Sequence, residues 1–126
     1  MIDKIRRNEI YLADLGKTSG SEEKGTRPVL IVQNNLGNKH STTTIIVPFT
    51  KRIEDENRIQ THIVVNQFGK MYSKGTIMAE QIKVIDKRKL KHYIDELPKE
   101  YIDKVDEAIK IAVGLYEERR NYIGRR

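Results

Sequence analysis

GTRPVLIVQN at residues 25–34 and IIVPFT at residues 45–50 are the two stretches on which the reading of this chain turns. Val29 to Val32 is an unbroken run of Val, Leu and Ile, the composition of a buried strand. Ile45 to Val47 repeats that composition. Each run carries a polar residue at one end, where an apolar strand has no need of one. Arg27 stands just before the first run and Thr50 just after the second. Adjacent strand ends can deliver a cation and a hydroxyl to one pocket. In a basic chain, a pocket of that kind suits a phosphate.

Working outward, Glu9 to Leu15 mixes apolar and polar residues and is compatible with a strand. Residues 16–25 are rich in Gly, Ser, Lys and Glu, a loop composition. Pro28 suits the first residue of a strand. Residues 34–41 read as a second loop, with Gly37 at its positive-φ position. Thr42 to Val47 is a strand, closed by Pro48. Residues 51–58 are charged, 61–65 a short strand, and 67–74 a turn region around Gly69. Residues 75–79 and 81–85 are two short strands or one bent one.

The last third reads as helix. Asp86 is a candidate N-cap for a short helix through Lys91 or beyond. A longer helix starts near Pro98, a favoured first-turn residue. Tyr101, Ile102, Val105, Ala108, Ile109, Ala112, Val113 and Tyr116 recur at steps that build one apolar stripe. The expected organisation is a single domain over residues 1–126, with a barrel over about 8–85, a helical region over about 86–118 and a basic tail over about 119–126. Five or more short strands ahead of a terminal helix predict a mainly β fold, a small, strongly bent barrel capped by that helix. A doubly wound α/β fold is disfavoured, because no helix separates the early strands.

A chain of 126 residues can bury a core without disulfides or metals. Cysteine is absent, which excludes disulfides, thiolate metal sites and cysteine nucleophiles. No apolar run approaches the ~20 residues of a membrane span, and residues 1–7 hold no signal-peptide h-region. The expected location is the cytoplasm. The net charge of +6 attracts polyanions and serves solubility equally well.

Nucleotide-binding loops of the GxxxxGK[ST] and GxGxxG types are missing from the sequence. His40, His62 and His92 share no metal-ligand spacing. Asp14 and Glu80 are the only carboxylates placed at expected strand ends, thin support for a two-metal nuclease. Glu80-Gln81 interrupts the otherwise apolar stretch of residues 76–85, which suggests a site wall or a paired polar network. The ordinary alternatives are a salt bridge of Arg27 to Glu22 or Glu23, a local turn at Thr50, and core packing for Phe49. With no Trp and two Phe in the chain, the candidates for stacking on a base are Phe49, Phe68 and Tyr72.

The segments EIYLADL (residues 9–15), GSEEKGTRPVLIVQN (20–34), IVPFT (46–50) and MAEQIKVIDK (78–87) together resemble the MazF/PemK family of toxin endoribonucleases. Their order and spacing match over about residues 8–116. The resemblance implies an SH3-like small barrel with a C-terminal helix, assembled as a homodimer. It implies the toxin of a toxin–antitoxin pair, which cuts single-stranded RNA, mainly mRNA, at short sequences with no metal or cofactor. The family's catalytic Arg falls on Arg27 and its catalytic Ser/Thr on Thr50. The loop Ser and the Glu-Gln pair that hold RNA fall on Ser21, Glu80 and Gln81. Glu22, Phe49 and Lys51, their sequence neighbours and those of Thr50, complete the expected RNA-binding set. The partner implied is a cognate antitoxin, an acidic, largely disordered segment that folds over the RNA site. Two rival readings keep the barrel: a toxin that poisons gyrase by binding, and a non-catalytic nucleic-acid-binding module. The Arg27–Thr50 pair favours the nuclease over the gyrase poison, and cleavage of RNA without metal separates all three.

Overall fold

The computed structural model describes residues 4–17, 20, 24–51, 59–70 and 72–115. Seven strands form one antiparallel sheet: β1 (Glu9–Asp14), β2 (Thr26–Ile31), β3 (Thr43–Thr50), β4 (His62–Val65), β5 (Gly75–Met78), β6 (Lys83–Asp86) and β7 (Leu90–Glu96). Two helices accompany them, α1 (Asn35–His40) between β2 and β3, and α2 (Ile102–Ala112) at the C-terminal end. The strand order is β4-β5-β3-β2-β1-β7, with β6 added on β3. Among the described residues no ladder joins β4 to β7, so the sheet is open there.

Strand β3 is the hub. One edge bonds β2, in the register Val29↔Pro48, Leu30↔Val47 and Ile31↔Ile46. Its other edge is shared by two strands in succession. Residues Thr43 to Ile46 pair with β6, and Phe49 and Thr50 pair with Ile77 and Thr76 of β5. Pro48 therefore does not close the strand, contrary to the sequence expectation. It sits at the changeover from β6 to β5, where its missing N–H leaves no ladder bond unmade on that edge.

The unbroken apolar runs of β2 and β3 bury both faces of the sheet. Leu30, Val32, Val47 and Phe49 enter one core cluster with Ile10, Ile63, Val65, Ile77 and the helix residues Tyr101, Val105 and Ala108. Val29, Ile31 and Ile46 enter a second with Tyr11, Ala13, Ile85 and Leu90. Successive residues thus alternate between two cores, which is why neither strand shows an alternation of polar and apolar residues.

The helical stripe is as read, up to Ala112. Tyr101, Val105 and Ala108 are buried, and Ile102, Ile109 and Ala112 pack against the same core. Val113 is half-exposed, and Tyr116 and the basic tail lie outside the described residues. Pro98 precedes one 3-10 turn, Lys99–Tyr101, before the α-helix proper.

Three local expectations are corrected. Residues 34–41 are not an open loop: they hold α1, capped by the Asn34 side chain, which accepts from the Gly37 N–H at 2.8 Å. Gly37 lies inside that helix and not in the positive-φ region. The helix expected from Asp86 through Lys91 is one 3-10 turn, Lys87–Lys89, that Asp86 does cap. The chain then forms β7, the edge strand on β1, with two register shifts along its length. Its lysine, aspartate and glutamate side chains mask the strand signal, and charge of that kind is usual on an exposed edge.

Leu30 is fully buried in β2, opposite Val47 of β3. Leu30→Ala is expected to cost about 2–5 kcal/mol of stability, read as a lower urea midpoint.

Candidate active site

The β2–β3 ladder stops at a defined place. Its last pair is Val29↔Pro48, and Pro28 and Pro48 are the two residues of this strand pair that have no N–H to offer. Continued one further pair of residues beyond Pro28, the same register sets Arg27 beside Thr50. Alternation puts Arg27 on the face of Val29 and Ile31, and Thr50 on the face of Ile46 and Pro48, which is the same face. The two residues singled out in the sequence are thus brought together by an antiparallel pairing of their strands.

Arg27 supplies the bonds that the ladder no longer makes. Its Nη1 donates to the Phe49 carbonyl at 3.1 Å and its Nε to the Lys24 carbonyl at 3.0 Å. Two carbonyls from different segments fix the plane of the guanidinium. Thr50 is 8% exposed and lies opposite Thr76 on β5. The Thr76 hydroxyl is buried and has no hydrogen-bond partner among the described residues. Directly opposed residues share a sheet face, so it lies beside Thr50.

Arg27 and Thr50 line a cleft of about 380 Å³ together with Thr26, Phe49, Lys51, Phe68, Tyr72 and Lys74. That volume is at the lower end of ordinary ligand sites. Lys51 and Lys74 are exposed and give the rim two further cations. Phe49 is 2% exposed, and its ring meets Phe68 at 4.4 Å between centroids. It is a core residue that also forms a wall. Gly75 closes the floor: a Cβ there would come within 3.1 Å of Phe49 and 3.2 Å of Phe68.

Glu80 and Gln81 do not line this cleft. They follow β5 at its far end, in the 3-10 turn Ala79–Gln81. The interruption they make in the apolar stretch is a paired polar network. Both Glu80 oxygens are engaged, Oε1 accepting from the Thr61 hydroxyl at 2.8 Å and Oε2 pairing with His62 Nε2 at 2.8 Å. Burial pushes the Glu80 carboxyl up, but the hydrogen bonds from His62 and Thr61 outweigh it, and the group is held below the usual glutamate range. Ser21 and Glu22 lie outside the described residues, as does Glu23.

The sequence reading missed His62 as a partner of Glu80. The two lie 18 residues apart and meet because β4 and β5 pair with His62 opposite Met78. Only the register of that hairpin could have revealed the pair. Gly75 was missed as a part of the cleft for the same reason.

The profile of the PemK-like, MazF-like toxin of type II toxin–antitoxin systems matches residues 6–113. The chain belongs to that family. Among related proteins, Endoribonuclease EndoA of Bacillus subtilis is 39% identical over 116 residues, covering 90% of this chain and 97% of that protein. Among solved structures, an endoribonuclease from a mycobacterial species superposes with a TM-score of 0.74 at 24% identity, over 93% of this chain and 98% of the other. A mycobacterial endoribonuclease solved in complex with its cognate antitoxin superposes with a TM-score of 0.70 at 25% identity, over 93% and 100% of the two chains. The open, mainly antiparallel sheet with its C-terminal helix is therefore the PemK/MazF arrangement, and the segments that prompted the resemblance in the sequence lie within the matched span.

The depressed Glu80 carboxyl has a stability consequence. A lowered folded pKa contributes stability that is fully present above the ordinary glutamate value and is lost as the pH falls through the lowered one. Glu80→Gln is therefore expected to lower Tm at neutral pH. The gap to wild type should close as the pH falls through the lowered folded value, below which the glutamate is protonated in both states. Thermal melts of the two proteins between neutral and acidic pH check this, and a gap independent of pH would show that the charge is not what Glu80 contributes.

Proposed function

We propose that this protein is a toxin-class endoribonuclease that cuts single-stranded RNA, mainly mRNA, at short sequences and without a metal ion. The observation that carries the reading is the meeting of Arg27 and Thr50 in one cleft of a PemK/MazF-family fold. The 39%-identical relative is named as an endoribonuclease, which supports the same activity here.

The chemistry the cleft suits is internal transesterification. The ribose 2′-OH attacks the adjacent phosphorus, a 2′-O–P bond forms and the P–O5′ bond breaks. The products are a 2′,3′-cyclic phosphate and a 5′-hydroxyl, the proton lost from the 2′-OH being balanced by the one gained by the 5′ oxygen. Negative charge builds on the phosphoryl oxygens in the transition state. A guanidinium whose plane is already fixed by two carbonyls stabilises that charge with little reorganisation. Arginine stays protonated, so Arg27 acts as the electrostatic clamp and not as the base. Thr50, at the strand end, orients the 2′-OH or a phosphoryl oxygen by hydrogen bonding. Lys51 and Lys74 at the rim attract the flanking phosphates.

RNA leaving this cleft along β5 reaches Glu80 and Gln81, with Ser21 and Glu22 contributing from the loop ahead of Arg27. A carboxylate fixed at both oxygens is suited to accept from a base amino group, as glutamate does with the cytosine N4 group. A homodimer of SH3-like small barrels completes the reading, with a cognate antitoxin as inhibitor in the cytoplasm. A homologue solved with its cognate antitoxin supports that partner.

Incubating a long single-stranded RNA with the protein in EDTA, and mapping the ends, tests the proposal. Wild type should give cuts restricted to a short sequence, with cyclic phosphate and 5′-hydroxyl ends. Arg27→Ala should lower the rate by about 10²–10³. Arg27→Lys should recover little of it, because an ammonium cannot reproduce the planar donor fork. Thr50→Ala should slow cutting as well. Intact RNA with folded wild type in EDTA would overturn the reading in favour of a toxin that acts by binding.

A further inference from the structure

Three aromatic rings form a continuous set that runs out of the core into the cleft. Phe49 is buried in the core and meets Phe68, which is 3% exposed. Phe68 in turn lies parallel to Tyr72, with 5.1 Å between centroids and 7° between planes. Phe68 and Tyr72 are set side by side by the short bridge in which the Phe68 N–H donates to the Tyr72 carbonyl. Gly69, at φ +66°, begins the turn between them, and its N–H is held by the Asp95 carboxylate at 2.8 Å. The turn is therefore tied to β7, and the position of the Tyr72 ring is built in. Tyr72 is half-buried where the other two rings are buried, and it lines the cleft that holds Arg27 and Thr50.

A flat ring at the open end of a parallel stack has one natural ligand in RNA, a base that continues the stack. Every base has such a face, so stacking discriminates weakly between them. The cleft, at about 380 Å³, is of a size for one nucleotide, and Arg27, Lys51 and Lys74 line it together with the ring. We propose that Tyr72 is a nucleobase subsite of the cleft, on which an unstacked base next to the scissile phosphate packs, whatever its identity. This rests on the ribonuclease reading given above. Tyr72 then contributes affinity and placement of the phosphate at Arg27, while sequence is read elsewhere. The phenol hydroxyl has no part in it.

The test uses two substitutions. Tyr72→Leu keeps an apolar side chain against the core but removes the flat π face, and Tyr72→Phe keeps the face but removes the hydroxyl. RNA with a mapped cut is prepared with 2-aminopurine on one or the other side of the scissile bond, and with a 2′-deoxy nucleotide at the cut so that it binds without reacting. Wild type and Tyr72→Phe should quench the fluorophore on one side. Tyr72→Leu should lose that quenching and bind between about 5- and 150-fold more weakly, the range for one lost stacking contact. On cleavable RNA, Tyr72→Leu should raise KM with kcat little changed, and the cut sites should stay the same.

Quenching and affinity unchanged in Tyr72→Leu would overturn the subsite while wild-type cleavage left the nuclease reading standing. So would a fall in kcat at constant KM, which would make Tyr72 a support of the catalytic residues, or a change of cut sequence, which would make it a reader. Wild type that neither binds nor cuts the RNA would instead remove the nuclease reading itself and the subsite with it.

Discussion

The hydrogen bond from Arg27 to the Phe49 carbonyl stands where the sheet runs out of backbone donors, and the cleft depends on it. Two antiparallel strands normally close their ends with N–H groups. Here Pro28 offers no N–H to the rung beyond Val29 and Pro48. A side-chain donor takes its place, and its guanidinium is left at the mouth of the gap. The β2–β3 ladder ends at Val29 and Pro48, and the cleft opens beside that end. Pro28, which a sequence reading treats as a strand start, is better described as the reason the two strands stop bonding while remaining side by side.

That arrangement is affordable because β3 is held elsewhere. β2 bonds one of its edges, β6 and β5 share the other, and its apolar residues enter cores on both faces. A strand so constrained can present Thr50 at its end without fraying. The opposite end of β5 is stiffened in a different way, by a carboxylate that binds the first histidine of β4 and the threonine just before it. The two polar sites differ in kind. One is a cationic gap at a strand end, the other an anionic clasp across a hairpin. They are joined by the four residues of β5, so movement of one strand would be felt at both.

The cleft combines positive charge with aromatic surface, and the two come from different causes. The cations are side chains at strand ends and loop edges, where long polar residues remain in water. The rings come from the core, which reaches the cleft because Gly75 leaves Phe49 and Phe68 uncovered by any side chain of its own. A larger residue there would meet both rings, so the absence of a side chain is part of the shape of the site.

The sequence by itself determined the apolar runs of β2 and β3, the helical stripe of α2, and the presence of a cation and a hydroxyl at two strand ends. These are local signals, fixed by composition and by spacing within a few residues. It also carried the family pattern, because that pattern is a set of short segments in a fixed order. The tertiary structure alone decided what lies beside what. That Arg27 meets Thr50, that His62 meets Glu80, and that Tyr72 joins Phe68 and Phe49 follows from the register of antiparallel pairs. Register is set by packing over the whole sheet, and no window of sequence contains it. The edge strand β7 escaped the sequence reading for a related reason. It is half-covered and charged, and its pairing with β1 is visible only when β1 is in place.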